Sequence, residues 1–404
     1  MRFINLKPLR LLRQPLFLAV SLNHFAVDVL NGQTSILLAV LSTPLGLTNA
    51  VIGLIAMMYS MVGSLSQPVF GWLSDRYSAR WAAAGGVLWM AGLFALAAVT
   101  PGYGSIACLV LGALGSGAFH PPGTMKAAQV GRQYMAGQMA TAASIFFLFG
   151  QGGLSLGPAI GGVIMDNLGP AGILIPAGLT VPVGLFMVWA MRPSAQPTPV
   201  ASRETGAATS PPDLNLFAVV MLLAGLRVWA QSVMTTFAPK YLHDLGLAPT
   251  IYGAVVALFM GGSAIGGVIG AMFSERWGQR RTIALACGLS ALPFFLFPGA
   301  QGAWIYLLAA LAGLLNGAPH SILVTTTAQR SFPSRAALAS GVILGFMFTA
   351  GAIGAYVSGI AADRVGLAYV LQANSALGLT AALASLWLMP RHALKPSAVA
   401  EVGD

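Results

Sequence analysis

The stretch Gly71-Trp72-Leu73-Ser74-Asp75-Arg76-Tyr77-Ser78-Ala79-Arg80 is a short charged island between two long apolar segments. Two hundred residues later, Gly270-Ala271-Met272-Phe273-Ser274-Glu275-Arg276-Trp277-Gly278-Gln279-Arg280-Arg281 repeats its order: a glycine, an acid followed by arginine, then further basic residues. Each copy stands where an apolar helix would leave a bilayer. A glycine there lets neighbouring backbones approach, and the acid can pair with cations on a facing helix. The two copies read as a charge latch on one membrane face: Gly71, Asp75, Arg76 and Arg80 in one half, Gly270, Glu275, Arg276 and Arg280 in the other. Two ordinary polar loops are the plainer reading, and the shared order and spacing argue against it.

Composition explains why the islands matter. Only 7% of the 404 residues are charged and 57% are hydrophobic, with a mean hydropathy of +0.79. A soluble domain carries about 25% charged residues, so this chain cannot cover a water-facing surface. Apolar runs recur near the roughly 20 residues that cross a bilayer core. Twelve spans are predicted, at 15–41, 50–73, 81–100, 103–125, 136–165, 171–191, 215–241, 250–273, 281–299, 302–326, 336–361 and 367–389. The expected fold class is an all-α membrane protein; abundant Ala, Leu and Gly with little alternation argue against a membrane β-barrel.

The net charge of +10 does not point to nucleic acid. Nearly all Lys and Arg fall on one face; Lys240 and Arg364 lie on the other and Arg227 within a span. This positive-inside bias puts both termini in the cytoplasm. The first apolar run exceeds 25 residues and contains Asn23, His24 and Asp28, so it reads as a retained helix and not a cleaved signal. Cys108 and Cys287 imply no disulfide framework.

Between Arg192 and Asp213 the composition turns to Pro, Ser, Thr, Ala and Gly. That marks a flexible cytoplasmic linker, 192–214, between a six-helix bundle at 1–191 and another at 215–390, followed by a cytoplasmic tail at 391–404. The halves correspond further. Gly117-Ala118-Phe119-His120-Pro121 answers to Gly317-Ala318-Pro319-His320-Ser321, and Gly162-Val163-Ile164-Met165-Asp166 to Gly359-Ile360-Ala361-Ala362-Asp363. A parallel repeat of six helices is the build of transporters whose substrate site lies between the halves.

On these residues the chain resembles the major facilitator superfamily over nearly its whole length. Gly153-Leu154-Ser155-Leu156-Gly157-Pro158-Ala159-Ile160-Gly161-Gly162 fits the G-x-x-x-G-P-x-x-G-G pattern associated with drug–proton antiporters. Small residues four apart permit tight helix crossing, and Pro158 bends the helix; generic close packing is the plainer alternative. Asn23-His24-Phe25 with Asp28, Gln67-Pro68, and Gly115 to Pro121 look like the fosmidomycin-resistance branch, whose members export antimicrobial compounds. The resemblance implies two six-helix bundles related by a pseudo-two-fold axis, and a multi-pass protein of a bacterial inner membrane. Many drug–proton antiporters carry an arginine in helix four where this chain has Leu111, which weakens the inference to proton antiport.

In a transporter the informative residues are polar groups placed where they are costly, and an ionisable group near the bilayer centre is a functional hypothesis by default. Asp28 lies about thirteen residues into the first span, roughly 20 Å at 1.5 Å per residue, and Arg227 is as deep in the seventh. Asp28, His24 and Arg227 are the candidate proton-coupling residues, with a static ion pair as the plainer role. Asn23, His24, Asp28 and Asn31 form a polar stripe fit to line a cavity. Gln138, Gln151, Arg227, Gln231, Phe147 and Phe346 are further cavity candidates. His120 and His320 are placed at the cytoplasmic gate beside Pro121-Pro122 and Pro319, where the helices are expected to break; helix capping is the plainer role. No His or Cys spacing supports a metal site, no phosphate-binding loop G-x-x-x-x-G-K-[ST] occurs, and neither cofactor nor enzymatic activity is expected.

The reading is therefore a monomeric secondary transporter working by alternating access. Proton-coupled efflux of a small amphipathic or antimicrobial compound is the favoured activity. A symporter or facilitator for a sugar or organic anion, with Arg227 on the anion, and a non-transporting membrane sensor remain the alternatives.

Overall fold

The computed structural model describes residues 7–134, 139–192, 214–320, 322–323 and 336–387. Gln138, the linker residues 193–213 and the tail 391–404 lie outside them. The described residues are almost entirely helical, without a strand. The helices are α1 Pro15–Ser42, α2 Asn49–Leu65, α3 Gln67–Leu73, α4 Ala79–Val99, α5 Tyr103–Tyr134, α6 Met139–Leu168, α7 Leu174–Ala190, α8 Leu214–Asp244, α9 Pro249–Trp277, α10 Gln279–Leu296, α11 Ala303–Gly317, α12 Ala336–Val365 and α13 Leu367–Trp387.

Among the described residues, 10 segments are long and apolar enough to cross a membrane, not twelve. The difference has a physical reason. One segment, Asn49–Val99, is 51 residues long and holds two helical runs, which meet at the first charged island, where Ser78 is extended (φ −167°, ψ 115°) and its hydroxyl caps α4. At 1.5 Å per residue each of the two runs is long enough for one crossing. Ala303–Gly317 is apolar but shorter, and part of the span predicted at 302–326 lies outside the described residues.

Helix α5 corrects a further expectation. The predicted break at Pro121-Pro122 does not occur, and α5 runs on to Tyr134 with both prolines inside it. Prolines are tolerated in membrane helices because neighbouring groups satisfy the freed carbonyls.

The duplication is visible in the backbone. Six of the seven glycines with positive φ among the described residues occur in repeat-matched pairs, Gly46 with Gly246, Gly102 with Gly302 and Gly169 with Gly366. At the first pair the Leu47 N–H reaches Ser42 O at 2.9 Å and the Leu247 N–H reaches Leu242 O at 3.0 Å, the same helix-ending turn.

The chain divides into two compact units. The first comprises residues 1–202, 232–261 and 351–371; the second comprises 203–231, 262–350 and 372–404. Repeat-matched contacts bind the later segments into the first unit. A Cβ on Gly162 would lie 2.5 Å from Pro249 O, and one on Gly359 would lie 2.4 Å from Asn49 O, so both glycines let helices touch backbone to backbone. Four residues on from each glycine an acid closes the joint. Asp166 accepts the Thr250 hydroxyl at 2.6 Å, and Asp363 accepts the N–H groups of Asn49 and Ala50 at 2.8 and 2.9 Å. A carboxylate over a helix N-terminus satisfies donors that have no partner within the helix.

Candidate functional site

In the first unit, α1 and α6 approach so closely that side chains are excluded from part of the contact. A Cβ on Gly153 would meet Phe25 O at 2.4 Å, one on Gly157 would meet Val29 O at 2.6 Å, and one on Gly161 would meet Gln33 Cγ at 2.7 Å. The glycines of the sequence pattern are thus split by direction: Gly153, Gly157 and Gly161 face α1, and Gly162 faces α9. Pro158 packs its ring against Gly32 of α1. One turn earlier Gly150 does the same service for the polar site. A Cβ there would lie 2.3 Å from His24 Nε2 and 2.8 Å from an Asp28 carboxylate oxygen.

Asp28 is buried on α1 and has three side-chain neighbours. His24 Nε2 stands 3.3 Å from Oδ2, and His120 Nε2 stands 3.9 Å from Oδ1. Asn31 Nδ2 donates to Oδ1 at 2.8 Å and lies 3.2 Å from Ser116 Oγ, while the Tyr59 hydroxyl donates to Asn31 Oδ1 at 2.6 Å. Four helices (α1, α2, α5 and α6) therefore meet at one carboxylate. Close glycine contacts set α5 in place: a Cβ on Gly115 would lie 2.2 Å from Gly86 O of α4, and one on Gly117 would lie 2.6 Å from Gly63 O of α2.

The second ring nitrogens fix the chemistry. His24 Nδ1 is 2.9 Å from Phe146 O, and His120 Nδ1 is 2.8 Å from Ser116 O. A carbonyl oxygen only accepts, so both Nδ1 atoms carry the proton. In the neutral rings both Nε2 lone pairs then face the carboxylate. Lone pairs facing an anion repel, and a proton placed on any of the three groups turns the repulsion into a hydrogen bond or ion pair. The His24 ring stacks on Phe146 at a centroid distance of 4.2 Å, which holds it in this pose. The three ligating atoms lie within 4.8 Å of one another, so the trio has the size and donor types to share one small cation. The spacing 24, 28, 120 hides this grouping, because its third member comes from another helix.

In the second unit Arg227 is 6% exposed on α8. Its Nη1 donates to Gln231 Oε1 at 3.0 Å and to Asn316 O at 3.3 Å. Its Nη2 lies 3.1 Å from His320 Nδ1, which must be the acceptor because a guanidinium has none. Phe346 packs over Gly225, whose Cβ would lie 3.1 Å from the ring.

The other candidates fall elsewhere. Asn23 is fully buried and donates to Val183 O of α7 at 2.9 Å, away from the carboxylate, because five helical residues carry it well around α1. Gln151 is exposed, Gln231 is half-buried beside Arg227, and Phe147 is 49% exposed with its ring edge-on to His24 at 6.0 Å. His120, expected at the gate, sits at the Asp28 cluster instead, and His320 sits at Arg227.

At the latch, Asp75, Arg76, Glu275 and Arg276 are exposed, and among the described residues neither acid forms an ion pair. Arg76 lies over the Trp72 ring at 5.7 Å, Arg80 Nε donates to Val188 O at 2.8 Å, and Arg280 donates to Leu386 O. A Cβ on Gly270 would lie 2.1 Å from Ala318 O, whereas Gly71 has ordinary room beside Pro121, so the tight approach expected of both glycines is made at one.

Tyr59 and Gly150 were not singled out by sequence, and Ser116 enters there only within the stretch Gly115 to Pro121. Of the first two, only Gly150 left a trace, as a small residue one turn ahead of the glycine pattern.

A bundle of membrane-length helices, duplicated in its turns and carrying ionisable side chains inside, is the build of a solute transporter. The model of the Major Facilitator Superfamily matches residues 16–242 and 217–404, and the chain belongs to that family. It is 26% identical over 383 residues to the fosmidomycin resistance protein of Escherichia coli strain K12, covering 93% of each chain. Its fold is similar to that of a bacterial homolog of the human lysosomal transporter Spinster in an inward-facing, occupied conformation, with a TM-score of 0.75 at 14% identity over 93% of this chain and 96% of that one. It is also similar to the nucleoside transporter NupG, with a TM-score of 0.71 at 16% identity over 92% and 98%.

Proposed function

We propose that this major facilitator protein is a proton-coupled exporter of a small amphipathic or antimicrobial compound, in which Asp28, His24 and His120 hold the transported proton. The observation that carries the reading is the convergence of two imidazole Nε2 atoms on one buried carboxylate, a grouping whose net interaction changes sign when a proton is added. A gradient does work only where two conformations hold the proton with different affinity. A trio drawn from two helices meets that need, since separating α5 from α1 would remove His120 from Asp28. Likeness to the fosmidomycin resistance protein supports export of an antimicrobial compound. Asp75 and Glu275 with their arginines would close the cytoplasmic side in the outward-facing state, in an inner-membrane monomer with both termini in the cytoplasm.

The test is transport in liposomes with a pH-sensitive dye inside, challenged with a panel of antimicrobial compounds. Proton flux opposite to substrate movement, lost in Asp28→Asn, is the expected result. Co-directional flux would favour a symporter. Substrate-driven proton flux that survives Asp28→Asn would remove the carrier role.

A further inference from the structure

We propose that His24, Asp28 and His120 form a binding site for one divalent transition-metal ion of the zinc class, held by the two Nε2 atoms and the Asp28 carboxylate. The inference stands on the geometry and does not depend on the proton reading above, although ion and proton would use the same atoms. Both ring N–H groups are spent on backbone carbonyls, His24 Nδ1 on Phe146 O at 2.9 Å and His120 Nδ1 on Ser116 O at 2.8 Å. The Nε2 lone pairs are thereby aimed at Asp28, 3.3 Å from Oδ2 and 3.9 Å from Oδ1. A proton can bridge the first pair, but 3.9 Å is beyond hydrogen-bond reach. A metal ion serves both pairs at once: two ligand atoms each about 2.1 Å from one ion stand up to about 4.2 Å apart. The three ligand atoms lie within 4.8 Å of one another. Closing on tetrahedral separations of about 3.4 Å asks for movements of about 1.4 Å at most. His120, the least buried of the three, has the most room to make them.

The surroundings are those that metal ligands need. A ligating imidazole hands its other N–H to a carbonyl or carboxylate, which fixes the tautomer and the direction of the ring, and both histidines do so. The carboxylate is held in turn: Asn31 Nδ2 donates to Oδ1 at 2.8 Å, and the Tyr59 hydroxyl orients Asn31. Gly150 leaves the space beside the ligands open, since a Cβ there would lie 2.3 Å from His24 Nε2 and 2.8 Å from Asp28 Oδ2. Among the described residues no lysine or arginine forms an ion pair with Asp28, so a divalent ion would compensate a buried carboxylate that has no other full cation beside it. Two imidazoles and one carboxylate suit Zn²⁺, Co²⁺ or Ni²⁺, whereas Mg²⁺ and Ca²⁺ take oxygen shells. Three protein ligands also leave a coordination position open on such an ion. A cluster built only for packing would instead turn a ring N–H toward the carboxylate.

The test is metal binding to the purified full-length chain in detergent, without a polyhistidine tag and without a proton gradient. Co²⁺ is the probe, because its visible absorption reports its ligands, and Zn²⁺ is the competitor. Saturable binding of a single Co²⁺ is expected, with absorption that Zn²⁺ abolishes and Mg²⁺ does not, and Zn²⁺ should raise the unfolding midpoint. His120→Ala and Asp28→Asn should each weaken binding about tenfold or more. Gly150→Ala, which keeps all three ligands but crowds them, should weaken it severalfold. The double variant His243→Ala with His392→Ala, which changes two histidines outside the site, should bind as the parent chain does. Should Asp28→Asn fail to fold, His120→Ala carries the test, since that side chain is 24% exposed. No saturable Co²⁺ binding, an equal response to Mg²⁺, or unchanged affinity in the folded His120→Ala would overturn the inference, as would loss of binding in the double variant. With no gradient present, a chain that binds the ion but moves no protons is distinguished from one that moves protons but binds no ion.

Discussion

His320 accepts a hydrogen bond from the Arg227 guanidinium at 3.1 Å, and its repeat counterpart His120 stands 3.9 Å from Asp28. Duplication has kept a histidine at one scaffold position while the charge facing it has changed sign. Imidazole suits both settings because its neutral ring offers one donor and one acceptor. His320→Phe should leave an Arg227 donor unmet and cost about 1–3 kcal/mol, whereas His320→Gln, which keeps an acceptor, should recover most of it. Denaturation midpoints of the two variants check this.

The Tyr59 hydroxyl reaches Asp28 only through Asn31, so its removal should be mild. Tyr59→Phe is expected to cost about 0.5–1.5 kcal/mol and to slow proton flux far less than Asp28→Asn. Asn31→Ala removes the direct donor and should fall between them. Initial rates in dye-loaded liposomes order the three.

Glycines on α6 differ from glycines elsewhere in what they face. Gly150→Ala and Gly153→Ala push a methyl group into His24 and into the Phe25 carbonyl, and overpacking of this kind costs about 1–3 kcal/mol. Gly85→Ala on α4 meets open space and should leave stability unchanged or slightly raised. Thermal unfolding separates the two classes, and proton flux should fall with Gly150→Ala because its methyl displaces the His24 ring.

Asp363 caps α2 through two backbone N–H groups. Asp363→Ala should cost about 1 kcal/mol, a typical cap, and speed hydrogen exchange at the Asn49 and Ala50 amides about fivefold. Asp166→Ala should leave those amides alone, since its partner is the Thr250 hydroxyl.

What the sequence revealed followed from local signals. Apolar runs marked the helices, the two islands marked the duplication, and the depth of Asp28 and Arg227 marked them as ionisable groups inside a span. What it hid required knowing which helix faces which. His120 was assigned to a gate because Pro121-Pro122 implied a helix end; the helix continues, and the histidine turns to Asp28. Tyr59 and Ser116 are ordinary residues in their own helices and gain meaning only beside Asn31. Asn23, one residue from His24, joins a different contact altogether, because one step along a helix is a turn of about 100°.

The glycine contacts also say which parts of the first unit must travel together. With backbone against backbone along Gly153 and Gly157, α1 and α6 cannot slide past one another, and Gly115 and Gly117 fasten α5 to α4 and α2 in the same way. The Asp28 cluster draws on both sets of helices, taking His24 and Asn31 from α1 and His120, Ser116 and Tyr59 from α5 and α2. A single proton placed there would bear on both sets of helices at once, and not on one side chain alone.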